Sequence, residues 1–127
     1  MKDIYSGLGI VAAVVPATLT ATNTSAAIDL QGFDGAMVII QTGAIGGSGN
    51  FTPKLTECAT SGGTYTDVAA ADLNGSFTDP LAASSVYKIG YRGNKRYIKT
   101  VLTLNSGTNI VAGVVVVKGA PALAPVA

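Results

Sequence analysis

Helical periodicity is almost absent from this chain, and short β-prone runs punctuated by Gly, Asn, Ser and Asp fill it. That pattern is the signature of an all-β sandwich or barrel, because strands pack with period two and turns need residues that tolerate unusual backbone angles. Strands are expected at 10–22, 24–31, 36–42, 50–58, 64–67, 85–92, 95–104 and 109–118. Only Asp67–Leu73 could make a helical turn or two. At 127 residues the chain can bury one core but not two. The predicted fold class is a single all-β domain, a β-sandwich or a jelly-roll-like or barrel-like body, with an extended arm at each end.

The turns carry mechanisms. Gly32-Phe33-Asp34-Gly35, Ser61-Gly62-Gly63, Asn74-Gly75 and Asn105-Ser106-Gly107 can each reverse the chain, because glycine accepts positive φ. In the run Tyr97–Leu104, Ile98, Thr100, Leu102 and Leu104 share one face, and Tyr97, Lys99, Val101 and Thr103 share the other. Ile110–Val117 is apolar on both faces, which predicts a central strand or one covered by a neighbouring subunit. Pro16 donates nothing to a ladder, so it predicts an edge or a bulge. The expected organisation is an N-terminal arm or first strand at 1–23, a body at 24–118 and an arm at 119–127. That last segment, with Pro121, Leu123 and Pro125, is uncharged and reads as an extended arm that lies along a partner.

Charged residues make up 12% of the chain, about half the usual share. A weakly charged surface on a small protein points to coverage by other subunits. The net charge of +1 hides an uneven distribution. Residues 1–79 hold two lysines against seven acids, a net of −5, and residues 80–127 hold six basic groups and no acid, a net of +6. Five of the basic groups fall between Val86 and Leu104, where two strand-like runs flank a turn at Arg92-Gly93-Asn94-Lys95. This basic hairpin, with Arg92, Lys95 and Arg96 at its tip, is expected to steer docking onto an acidic surface. The apolar residues 7–15, including Ile10 and Val11, resemble a short signal-peptide core. Lys2 is cancelled by Asp3 and two glycines interrupt the run, so an arm or first strand is expected instead. The longest apolar runs are too short to span a bilayer as helices.

Catalytic chemistry finds little to work with. There is no His, and the acids at 3, 29, 34, 57, 67, 72 and 79 form no pair spaced for a metal or an acid–base dyad. Asp29 alternates with apolar neighbours and reads as solvent-facing. Cys58 is expected to be a small buried hydrophobe. The loop from Gly43 to Gly49 lacks the Gly-Lys-Ser/Thr ending and the following helix of a phosphate loop, so a flexible hairpin loop is expected. Tyr87, Tyr91 and Tyr97 among the cations could suggest base stacking, but a near-zero total charge argues against it, and Tyr91 and Tyr97 read as core or interface anchors. The expectation is a protein that is not an enzyme, with no cofactor, metal, small-molecule substrate, nucleic acid or membrane.

Three segments resemble small virion proteins of tailed bacteriophages. They are Ala27–Phe33 followed by Val38–Gly43, Phe51–Glu57 followed by Gly62–Val68, and Tyr87–Ile98. The resemblance spans about residues 24–118 through short motifs. It implies a capsid decoration or cement protein, an all-β subunit on the outer capsid surface, made in the cytoplasm of a bacterial host. The implied partners are the major capsid protein and copies of the chain itself, a trimer being one such assembly. Expected contact residues are Arg92, Lys95, Arg96, Pro121, Leu123, Pro125, Ile10 and Val11. Alternatives are a neck or tail subunit of the same particle, or a carbohydrate-binding sandwich displayed on a surface.

Overall fold

Side chains point alternately to the two sides of each strand, so each strand can bury one face. In the computed structural model, which describes residues 7–77 and 80–121, ten strands use that alternation to build two packed antiparallel sheets. They are β1 (Gly9–Leu19), β2 (Asn23–Thr24), β3 (Ile28–Asp29), β4 (Phe33–Gly46) and β5 (Asn50–Cys58). Then come β6 (Thr66–Asp67), β7 (Leu73–Asn74), β8 (Val86–Tyr91), β9 (Tyr97–Ser106) and β10 (Asn109–Pro121). The first sheet has the order β1-β10-β4-β8-β7 and the second β2-β9-β5-β6, with β3 also pairing β9. The helical segment expected near 67–73 is a single 3₁₀ turn at Ala70–Asp72.

One long antiparallel ribbon organises both sheets. Phe33 lies opposite Pro121 and Gly46 opposite Asn109, in the first sheet. The same two chain segments continue in the second sheet, with Asn50 opposite Ser106 and Cys58 opposite Tyr97. The ribbon therefore folds back on itself at 47–49 and 107–108, and its two halves face each other across the core. Gly47 and Ser48 turn with φ of 57° each, and Gly107 with φ of 82°. The Gly46 N–H donates to Asn109 Oδ1 at 3.1 Å, which ties the two strands together at the fold. The glycine-rich segment 43–49 is thus mostly strand ending in a packed corner, not a flexible hairpin loop. Glycine suits it because backbones approach closely: a Cβ on Gly43 would lie 3.2 Å from Val111 Cβ.

The core is the space between the folded halves. Val38 and Ile40 of β4, Phe51 and Leu55 of β5, Ile89 of β8, Ile98 and Leu102 of β9, and Ile110, Val114 and Val116 of β10 are all buried. Each contributes roughly 1.5–3 kcal/mol by leaving water. The inward face expected on β9 is observed, with Ile98, Thr100 and Leu102 buried and Leu104 packed against the core. β10 is an interior strand between β1 and β4, the first of the two placements its apolar faces allowed.

One expectation about the chain's organisation needs correction. β8 and β9 do not form a hairpin: β8 pairs β4 and β7, β9 pairs β5, β2 and β3, and residues 92–96 cross between the sheets. Turn residues say that a chain reverses, not which sheet receives it. Of the two readings of the first segment, arm or first strand, residues Gly9–Leu19 form the strand. β1 is the edge strand of the first sheet, and its Val14 and Leu19 enter the core. Its register slips between Ala12 and Val14 and again between Val14 and Ala17, across Pro16. Bulges and a proline on an edge strand discourage pairing with stray strands.

Thr100 presents a test of the core. Its hydroxyl is buried without a hydrogen-bond partner among the described residues. An unpaired buried hydroxyl costs free energy that an isosteric methyl avoids. Thr100→Val is expected to raise unfolding free energy by about 1 kcal/mol, measured by urea denaturation; a loss of similar size would show that the hydroxyl has a partner.

Candidate docking face

The outer face of the first sheet breaks the usual rule for sandwiches. Between the buried residues of β10 stand Val111, Gly113, Val115 and Val117, and between those of β4 stand Met37, Ile39, Gln41 and Gly43. β1 adds Ile10 and Ala12, and β8 adds Val86 and Lys88. Period-two alternation points all of these away from the core. An exposed antiparallel face ordinarily carries polar side chains, yet Lys88 is the only charge in this set. The second sheet behaves ordinarily. Its outer face bears Thr52, Lys54, Lys99 and Thr103; Lys54 Nζ pairs with Asp67 at 3.2 Å, and the Lys99 ammonium sits 4.3 Å from the centroid of the Tyr65 ring.

The apolar face has relief. The bulge in β1 brings Pro16 over Gly113, where a Cβ would lie 2.9 Å from Pro16 Cγ. With Gly43 this leaves a groove of about 290 Å³ lined by β1, β10 and β4, including Ile39, Val111 and Val115. Around it Ile10, Val15 and Val86 stand 69%, 72% and 65% exposed, the large apolar side chains that water reaches most. Patches of this kind mark surfaces that are covered in the functional state. Of the two contact residues expected in β1, Ile10 belongs to this face. Val11 does not: it points inward and packs against the core.

The basic segment is less free than expected. Arg96 holds Asp29 with two hydrogen bonds of 2.9 Å and stacks 5.0 Å from the Tyr97 ring centroid. Arg92 Nη2 donates to the Ala71 carbonyl at 3.0 Å. Both guanidiniums therefore brace the connection between sheets, and an acid from the first half of the chain neutralises one of them. The charge split along the sequence is partly closed by folding. Tyr91 is a core anchor, as expected: its hydroxyl donates to Glu57 Oε1 at 2.6 Å and accepts from the Lys95 N–H at 3.1 Å, joining the two sheets. Burial and the Glu57 carboxylate raise the Tyr91 pKa well beyond the ordinary phenol range. A cleft of about 550 Å³ lies between residues 30–35 and 91–96. Its aromatic groups are engaged, Tyr91 with Glu57 and Phe33 beneath the Lys118 ammonium, so it offers no open platform for a sugar ring.

The Asp29–Arg96 pair gives a pH signature. The two guanidinium bonds, then the Gln31 N–H, lower the Asp29 pKa from 3.8 to about 2. A depressed folded-state pKa means stability that is present above the unfolded value and lost as pH falls from about 4 toward 2. With both side chains nearly half exposed, solvent screening keeps the contribution to about 1 kcal/mol or less. The stability gap between wild type and Asp29→Asn is expected to shrink between pH 5 and pH 2. A constant gap would mean that the pair adds nothing.

Pro121 ends β10 opposite Phe33, while Leu123 and Pro125 lie outside the described residues. Cys58 is not the buried hydrophobe expected. It ends β5 half-exposed, its sulfur 3.9 Å from Thr60 Oγ1, and the Thr60 N–H lowers its pKa. Among the described residues no three His, Cys, Asp or Glu gather as metal ligands, and no helix is long and apolar enough to cross a membrane. No protein-family model and no curated protein matched the chain in the searches made.

Proposed function

We propose that the chain is a non-enzymatic virion structural protein, a decoration or cement subunit that binds the outer capsid of a tailed phage and links neighbouring shell subunits. The observation that carries the reading is the almost uncharged apolar outer face of the first sheet, which suits a subunit completed by assembly. The segments resembling phage virion proteins lie on the strands that build both sheets. The mechanism is interfacial: modest contacts at each site are multiplied over the many copies of a shell. The end of the sandwich bearing Lys95 and Arg92 meets acidic patches on the capsid, and salt weakens that encounter. The rival placement, at the neck or tail of the same particle, uses the same contacts at far lower copy number.

The test is binding of purified chain to capsid shells assembled without it, followed by co-sedimentation across a salt series. Saturable binding in fixed proportion to the shell protein is expected. Failure to bind at any salt concentration would overturn the decoration role.

A further inference from the structure

We infer that the outer face of the first sheet is the contact between copies of this chain. The inference deepens the assembly role proposed above by naming which partner covers this face. Three observations select a second copy. The face carries both parts of a self-matching surface: the projecting side chains Ile10, Val15 and Val86, and the groove floored by Gly43 and Gly113. It is almost without charge, so it complements itself without repulsion and gives no electrostatic preference for an acidic shell. The chain's cations gather elsewhere, with Arg92, Lys95 and Arg96 on the connection between sheets.

Size agrees as well. Four strands about 4.8 Å apart, averaging about ten residues at about 3.3 Å although β8 has only six, offer roughly 600 Å² per copy. Two such faces bury about 1,200 Å², the lower bound of stable, specific interfaces. Projecting valine and isoleucine side chains of one copy then occupy the groove of the other, between Pro16, Val111, Val115 and Ile39. The face is covered before or during docking, and the basic end remains open to the shell.

Sedimentation velocity of the full chain from low to high micromolar concentration tests this. Wild type is expected to sediment above the monomer mass as concentration rises. Val115→Lys and Ile39→Lys, at the centre of the face, are expected to weaken association at least tenfold while circular dichroism stays that of the wild type. Thr103→Lys, on the outer face of the second sheet, is expected to associate normally. A measurement without substitutions guards against misfolded variants: peroxide oxidation of Met37, which lies on the face, should slow as protein concentration rises. A wild-type monomer throughout, an oxidation rate independent of concentration, or folded lysine variants that associate normally would each overturn the inference. A monomer that still binds shells would remove the self-contact and leave the decoration role standing.

Discussion

An alanine at position 107 is expected to lower unfolding free energy by about 3 kcal/mol or more, although it adds one methyl group. Two effects combine at this corner. Gly107 sits at φ of 82°, where an L-residue costs roughly 1–2 kcal/mol. Its new Cβ would also overlap the Ser48 carbonyl oxygen and lie 2.7 Å from Gly49 Cα. The Ser48 turn cannot yield easily, because Gly49 is itself pressed against the Asn109 backbone. Gly75 separates the two effects. It has φ of 98° but open space, the nearest atom being Ile89 Cδ1 at 3.5 Å, so Gly75→Ala should cost only the conformational part, about 1–2 kcal/mol. Urea denaturation of both variants checks the difference. Equal losses would mean that the two folded ends of the ribbon are not in contact.

Phe51→Ala is expected to cost about 3–5 kcal/mol. Phe51 is a fully buried side chain on β5, beside the fold of the ribbon and opposite Leu104. Its carbonyl also accepts the Leu81 N–H at 3.0 Å, which fixes the long connection before β8 to the second sheet. The cavity left by alanine lies between two rigid ladders that cannot collapse to fill it. Domains of this size are stable by roughly 5–15 kcal/mol, so the variant should melt far below the wild type. Leu104→Ala, at a half-buried position on the paired strand, should cost clearly less. If the two losses are alike, the core does not lie where the sheets face each other.

Much of this architecture is written locally. The alternation in Tyr97–Leu104 fixed which residues of β9 face inward, and the two apolar faces of Ile110–Val117 were compatible with the interior strand observed. Pro16 marked an edge strand with a bulge. What local patterns could not convey was pairing between distant segments. Strands 85–92 and 95–104 read as a hairpin because a turn separates them, yet they belong to opposite sheets. Arg96 read as a free cation because its partner, Asp29, lies 67 residues away. The candidate face was legible only as an ambiguity: β10 could be central or covered by a neighbour, and it is interior in the sheet while its outer side chains remain partly open. Val11 and Ile10 looked equivalent in sequence, and strand period alone sends them to opposite sides.

The most direct measurement of the proposed capsid role is quantitative mass spectrometry of phage particles purified from the cells that carry this sequence. A decoration subunit should be present in a fixed, large ratio to the major capsid protein, and should leave the particle before the shell itself disassembles. Absence from washed particles, or a handful of copies per virion, would contradict the capsid-surface role.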